Sequence, residues 1–408
     1  MHILLDGGYT LGSAGDDAPL SFLTDSLRAR FKDVDFTVVA RHPHEEFERR
    51  HGVLTVPGFE YESKAASGGR WFRGLNFEDD RTTLGALADC IADSDLLVLG
   101  AGNFLTEVGI DVLRGHLPRF AVMVAIAQLA GTPTMLFGLS ANQLQSPWAA
   151  RGARWLLHAA DAVTFREQRA VDELLASGID LPRYELLPDP ALGAREPGPG
   201  RGAEVLDAES IPPSAAQRLG LAPRDLSWLD VHEQYLATQV QTVDRWLATS
   251  DERDVLIIPQ CTYEDAPHTD DRVIGRAIAH SSIDPSRVHV IKRQLPHWDI
   301  EACYQIVDVV LATRLHGSVF AARQGVPVLG LAYEQKVAGF FDSLGLAQLC
   351  LPIEASADTI IEELDSVCAS ADDLSAQLTS RITELRTQLD RYIDIAIELL
   401  ERPRPPRP

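Results

Sequence analysis

Short apolar runs alternate along this chain with stretches of helical spacing, and that alternation limits the fold more tightly than any other property. His2 to Asp6 is a strand-length run followed by Gly7-Gly8, and Leu20 to Arg30 then has helical spacing. Asp35 to Ala40, Leu96 to Leu99, Pro133 to Leu139 and Ala160 to Phe165 read as further strands, with helices over Leu84 to Ala92 and Val122 to Ala130. Gly58 to Asp80, rich in Gly, aromatic and charged residues, is an irregular excursion. Strands that alternate with helices imply a parallel sheet covered on both faces.

The alternation breaks at Gly193 to Gly202, GAREPGPGRG, whose Pro and Gly content marks a linker, and then resumes. Leu221 to Asp230 reads as loop and strand, Val231 to Ala248 as helix, and Val255 to Pro259, His289 to Ile291 and Val309 to Ala312 as strands. The expected class is therefore α/β, with two Rossmann-like domains facing across a cleft: residues 1–192 and 205–370, joined by a linker at 193–204. A C-terminal amphipathic helix is expected over 371–402, because Leu378, Ile382, Leu385, Leu389, Tyr392, Ala396 and Leu399 follow steps of four and three. Such a stripe packs onto the body of the protein or forms a homodimer seam. The Pro-rich end, 403–408, reads as a disordered tail.

Composition removes several classes of function. A net charge of −22 opposes nucleic acid, whose phosphates need clustered Lys and Arg. No apolar run is long enough to span a bilayer, and MHILLDGGY lacks the basic start and small-residue cleavage site of a signal peptide. The five cysteines are scattered without CxxC spacing, so neither a disulfide framework nor a metal site is expected, and a cytoplasmic location fits, peripheral to the membrane at most. An anionic ligand must then be held by a local cationic pocket against an unfavourable background field.

Arg314 and His316 supply such a pocket. They lie between the Val309 to Ala312 strand and a helix that runs from Gly317 to Arg323 and stops at Gly325, with Pro327 beyond. Unpaired N–H groups at a helix start favour an anion, Arg adds a planar fork, and imidazole titrates near neutral pH. The alternative is a plain strand-to-helix turn with a surface Arg and a capping His. Tyr333 and Lys336 follow the next strand and reach the same end of the sheet, though a surface place for Lys336 is the competing reading. Arg166 also follows a strand; an ion pair with Glu167 or Asp189 competes with a ligand contact. Gln260 and the polar cluster Tyr263 to Asp270 follow the strand ending at Pro259, without metal-ligand spacing. Gly100-Ala101-Gly102-Asn103 lacks the third glycine of a dinucleotide fingerprint, so the glycines are read as allowing close backbone approach, with Asn103 facing sugar hydroxyls. Asp189, between two prolines, orients an Arg or a hydroxyl, or caps a turn.

The segment from Thr313 resembles the signature of the polysaccharide pyruvyl transferase family: Thr313-Arg314-Leu315-His316, then Gln324-Gly325-Val326-Pro327, Tyr333 with Lys336-Val337, and Phe340 with Leu344-Gly345. GAGNFLTE at Gly100 to Glu107, FREQRAVDELLASGI at Phe165 to Ile179 and PDPAL at Pro188 to Leu192 agree in order. The family's opening segment carries Asn before Gly-Asp, where this chain has Ser13 and then Gly15-Asp16-Asp17. The resemblance implies a glycosyltransferase-B-like architecture and a pyruvyl transferase of cell-wall or exopolysaccharide biosynthesis. Phosphoenolpyruvate is the implied donor, a sugar or lipid-linked glycan the acceptor, and no cofactor or metal is expected. His316 and Arg314 are then the catalytic candidates; Arg314, His316, Lys336, Tyr333, Arg166 and Gln260 the donor-binding ones; and Gly102, Asn103, Asp17 and Asp189 the acceptor-binding ones. The first domain would face the acceptor and the second the donor. Two rivals remain: a glycosyltransferase of the same two-domain type using a nucleotide sugar, and a non-catalytic carbohydrate-binding protein.

Overall fold

A computed structural model describes residues 1–9, 12–40, 44–58, 80–107, 115–214, 216–263 and 269–403. The expected excursion after Gly58, most of the polar cluster after Tyr263 and most of the Pro-rich tail lie outside these residues. The chain divides into two compact units. Residues 1–10, 19–190 and 388–408 form the first, and residues 11–18 and 191–387 the second. The second unit thus gathers a short N-terminal piece as well as the Pro/Gly stretch, whose Arg201 already opens a helix, Arg201–Glu209.

The first unit contains seven strands: β1 (His2–Asp6), β2 (Asp35–Ala40), β3 (Leu54–Pro57), β4 (Leu96–Leu105), β5 (Thr134–Ala141), β6 (Ala162–Phe165) and β7 (Glu185–Leu186). They are parallel, in the order β3-β2-β1-β4-β5-β6-β7. Leu4, Leu97, Leu99 and Leu136 from the strands, with Phe120 and Leu156 from the helices, make a core from which water is excluded. The second unit contains β8 (Arg218–Ala222), β9 (Asp254–Ile257), β10 (Val288–Val290), β11 (Val309–Ala312), β12 (Val328–Ala332) and β13 (Cys350–Pro352). These are also parallel, in the order β10-β9-β8-β11-β12-β13. In each sheet the chain builds outward from its first strand and then crosses to the other side. The reversal falls between β1 and β4 and between β8 and β11, and ligands of open α/β sheets bind beyond the carboxyl ends of the strands at such a point.

Three local differences from the sequence reading have physical causes. First, β4 does not stop at Leu99 but runs through the Gly-rich segment to Leu105. The glycines serve the close approach of neighbouring strands: a side chain on Gly7 would strike the Gly100 carbonyl, and one on Gly100 would strike the Phe137 carbonyl. Second, the strand expected within Leu221 to Asp230 begins earlier, at Arg218, a charged residue outside the apolar run. Its guanidinium is buried as a bidentate pair with Asp254, at 2.9 Å from Nε to Oδ1 and 2.6 Å from Nη2 to Oδ2, tying β8 to β9. Third, the first helix spans Ala14–Arg30 rather than starting at Leu20, so Gly15-Asp16-Asp17 form its first turn. Ser13 starts it by accepting the Asp16 N–H on its hydroxyl at 3.3 Å, and the two aspartates suit the positive end of the helix dipole.

The C-terminal stripe is helical and buried against its own chain. It steps at residues 387–389 between the helices Ala371–Arg386, in the second unit, and Asp390–Leu400, in the first. Tyr392 packs edge-on against Phe22 and Phe137 and donates its hydroxyl to the Pro188 carbonyl at 3.1 Å, while Arg391 pairs with Glu185. Among the described residues no helix is long and apolar enough to cross a membrane.

Candidate active site

Arg314 closes the turn after β11 and serves as N-cap of the helix Leu315–Arg323, with extended backbone at φ −74° and ψ 127°. Its carbonyl accepts the Gly317 N–H at 3.0 Å, which starts the helix and leaves His316 in the first turn. Arg314 does not reach freely into solvent. Its Nε donates to both oxygens of Asp271, at 3.0 and 2.9 Å, and its Nη2 to Oδ1 at 2.5 Å and to the Thr269 carbonyl at 3.3 Å. Nη1 makes no hydrogen bond among the described residues and is the free edge of the fork. Asp271 is fully buried at the start of the helix Asp271–Ser281, and its Oδ2 accepts the backbone N–H groups of Gln260 at 3.1 Å and Cys261 at 2.9 Å. Burial pushes the Asp271 carboxyl above the ordinary carboxylate value, and the Arg314 charge opposes it. Burial likewise disfavours the Arg314 cation, but Asp271 outweighs it and raises the guanidinium further. Since guanidinium has no accessible neutral form, the pair is ionic.

The imidazole of His316 lies against the first turn of the Ala14–Arg30 helix, where Gly15 leaves room for it. A Cβ on Gly15 would collide with Nδ1, Cγ and Cε1 of the ring, and the Phe320 ring lies on the same helix with centroids 6.2 Å apart. Backbone pairing brings this turn to the second unit's sheet: Ala14 N–H donates to the Gln260 carbonyl at 2.9 Å and Thr262 N–H to the Gly12 carbonyl at 2.9 Å, around a Ser13 to Cys261 bridge. Asp17, expected on the acceptor side, is buried in the same turn and belongs to the second unit with Arg314 and His316. Gln260 donates to the Tyr304 hydroxyl at 2.8 Å, and its buried Oε1 has no hydrogen-bond partner among the described residues. Burial pushes the Cys261 thiol up to about 11, so it is a neutral thiol at physiological pH and not a nucleophile.

These contacts give Gly15→Ala an unusual sign. Gly→Ala inside a helix ordinarily stabilises by about 1 kcal/mol. Here the added methyl meets the imidazole, so the variant should gain no stability in urea unfolding, and with His316 as a catalytic candidate it should lose at least roughly 10-fold in turnover. Wild-type turnover in Gly15→Ala would show that the ring position does not matter.

Beyond β12, Tyr333 and Glu334 form the turn and Lys336 lies in the first turn of the helix Gln335–Leu344. Lys336 Nζ pairs with Glu334 Oε2 at 2.5 Å and lies 5.5 Å from the Tyr333 ring centroid. Burial would raise the Glu334 carboxyl, but the Lys336 and Arg224 charges bring it below the usual carboxylate value. The loop after β8 adds Arg224, which sequence reading passed over. Its guanidinium bonds the Tyr333 hydroxyl and lies 4.6 Å from the Tyr333 ring centroid and 4.9 Å from that of Trp228. Its backbone N–H donates to the Tyr235 hydroxyl at 3.2 Å, and Tyr235 in turn meets Thr313 Oγ1 at 2.9 Å, so the loops after β8 and β11 are locked together. Burial pushes Tyr235 up to about 12, which keeps it a neutral hydrogen-bonding hydroxyl.

The remaining candidates lie in the first unit. Arg166 is buried and bound to its neighbours: Nε meets Ser140 Oγ at 2.7 Å and Glu167 at 3.3 Å, and Nη1 meets Asp189 at 3.0 Å. Arg166 and Asp189 thus satisfy each other between β6 and the 190–193 turn. Gly102 and Asn103 lie within β4, where Asn103 donates from Nδ2 to Asn142 Oδ1 at 3.3 Å and its buried Oδ1 has no hydrogen-bond partner among the described residues.

Two parallel α/β units with switch-point sites are the architecture of glycosyltransferase-B enzymes and related epimerases, and solved structures of that class resemble this one over nearly its whole length. HepE of Anabaena, crystallised with UDP-glucose, superposes with a TM-score of 0.61 at 11% identity, covering 98% of each chain. A putative UDP-N-acetylglucosamine 2-epimerase from Listeria monocytogenes gives 0.57 at 13% identity, over 99% of this chain and 98% of that one. The UDP-GlcNAc 2-epimerase of Neisseria meningitidis gives 0.56 at 11% identity, over 98% of this chain and 99% of that one. At such identities the likeness is one of fold. Sequence narrows the class further: residues 15–335, from the glycine under His316 to the start of the helix that carries Lys336, match the polysaccharide pyruvyl transferase family, and the chain belongs to that family.

Proposed function

We propose that this protein transfers the pyruvyl group of phosphoenolpyruvate to two hydroxyls of a sugar or glycan precursor, forming a cyclic ketal and releasing phosphate. The observation that carries this reading is the turn after β11. A tethered guanidinium and an imidazole share a helix start at the switch point of a sheet, in a chain of this family. A dianionic phosphate suits the helix N–H groups and the free edge of Arg314.

The chemistry asks for one proton and a place for a leaving anion. Protonation of the donor's methylene carbon makes the neighbouring carbon electrophilic. A first hydroxyl adds there, the bond from that carbon to the phosphate oxygen breaks, and a second hydroxyl closes the ring. Of the two hydroxyl protons, one is accounted for by the new methyl group and the other leaves with phosphate. His316 is placed to give the first proton or to meet the phosphate, and Arg314 stabilises charge as phosphate departs. Lys336, Tyr333 and Gln260 surround the same end of the sheet and complete the donor set. Asp17, in the helical turn whose Ala14 N–H meets the Gln260 carbonyl, remains an acceptor candidate, as do Gly102, Asn103 and Asp189 of the first unit.

Phosphate release measured with phosphoenolpyruvate over a panel of sugars and lipid-linked glycans tests the activity. Thermal stabilisation by nucleotide sugars but not by phosphoenolpyruvate would favour a glycosyltransferase instead, and stabilisation by glycans alone, without phosphate release, a carbohydrate-binding protein. Arg314→Lys keeps the charge but loses the planar fork, and should weaken phosphoenolpyruvate binding roughly 10- to 100-fold, the range of a lost charge-assisted hydrogen bond. Unchanged affinity in Arg314→Lys and Arg314→Ala would remove Arg314 from the site.

A further inference from the structure

We propose that Arg224 binds the carboxylate of the donor, leaving the phosphate to the Arg314 turn; this rests on the reading of phosphoenolpyruvate as donor. The argument begins with charge. Three cations, Arg224, Arg314 and Lys336, gather at the carboxyl ends of β8, β11 and β12, and two of them are held in salt bridges by Asp271 and Glu334. Asp271 is engaged by Arg314 and Glu334 by Lys336. Among the described residues Arg224 makes no salt bridge of its own, although its charge is felt at Glu334 and Asp271: its guanidinium meets the Tyr333 hydroxyl and the faces of Tyr333 and Trp228, and its buried Nε has no hydrogen-bond partner. A half-buried guanidinium with an idle donor calls for an anion.

Geometry indicates which anion. The aromatic faces hold the guanidinium plane, and a fixed planar fork matches a carboxylate, whereas the helix start after β11 offers the N–H groups that suit a phosphate. The two cations are close enough to share one small ligand. Arg224 and Arg314 both act on the Asp271 charge, Tyr333 is bonded to Arg224 while acting on the charge of Arg314, and Tyr235 joins the two loops through the Arg224 N–H and Thr313. Trp228, 43% exposed, forms the outer wall of this clamp.

Calorimetric titration of the full-length protein with phosphoenolpyruvate and, separately, with inorganic phosphate tests the assignment. Arg224→Ala should weaken phosphoenolpyruvate roughly 10- to 100-fold and leave phosphate within about 2-fold, whereas Arg314→Ala should weaken both. Tyr333→Phe, which removes the hydroxyl bonded to Arg224 and keeps the ring under its guanidinium, should give a smaller loss confined to phosphoenolpyruvate. Arg224→Lys, which keeps the charge if the alanine variant does not fold, should follow the same pattern. Equal losses for both ligands would make Arg224 a phosphate group, and no loss for either would place it outside the donor site; each result overturns the proposal. If the unsubstituted protein binds no phosphoenolpyruvate, the donor reading itself fails and this assignment fails with it, a result distinct from normal wild-type binding with an unaffected Arg224 variant.

Discussion

Replacing His316 by alanine should slow turnover by roughly 10²–10⁴-fold in a protein that still folds, the usual contribution of a positioned acid or base. The ring is half-buried between the first turn of the Ala14–Arg30 helix and its own helix, and removing it leaves a gap against Gly15 while both helices and the strand before it keep their backbone hydrogen bonds. Donor affinity then separates two roles. If His316 protonates the methylene carbon, phosphoenolpyruvate should bind His316→Ala as it binds wild type, because the lost interaction exists only in the transition state. If it holds phosphate, affinity should fall along with rate, since that contact is present in the ground state too. His316→Asn, which keeps a hydrogen-bond donor but cannot supply the proton, should restore affinity only in the second case. Full activity with normal binding in both variants would reduce His316 to a capping residue.

How far the sequence predicts this site depends on how local each cause is. The β11 turn is legible because an apolar strand run, a helix start and the Arg-Leu-His wording sit within about a dozen residues, and periodicity alone places Arg314 and His316 between strand and helix, although the helix begins at Leu315, two residues before Gly317. Asp271 is not legible. It stands 43 residues before Arg314, just past the polar cluster that follows β9, and only the packing of its helix on β9 and β10, with β8 between them and β11, brings the two together. Gly15 reads as part of a turn, since nothing in its neighbours says that an imidazole 301 positions away needs its missing side chain. Arg224 is hidden because the strand expected within Leu221 to Asp230 in fact runs from Arg218 to Ala222, so the carboxyl end of β8, where ligand groups are expected, falls in the wrong place. The same short-range bias affects the Gly-rich segment of β4, whose glycines answer to the neighbouring strands and not to a turn.

The largest stability effect is expected at Asp271, a residue that need not touch the substrate. Its carboxylate satisfies two Arg314 nitrogens and the backbone N–H groups of Gln260 and Cys261, so Asp271→Ala would leave a guanidinium and two amides without their buried partner. Removing one member of a buried ion pair costs about 3–5 kcal/mol, because the remaining charge is stranded away from water. For a unit of this size that corresponds to a fall of roughly 10 °C in melting temperature. Asp271→Asn keeps the shape and one acceptor oxygen and should lose less. It should still weaken phosphoenolpyruvate binding, because the amide cannot accept both arms of the Arg314 fork and the free Nη1 edge is no longer aimed. The two measurements together give Asp271 its role. A loss of stability with wild-type donor affinity in Asp271→Asn would make it a structural partner of the sheet alone, and neither loss would mean that the Arg314 pair does not organise this site.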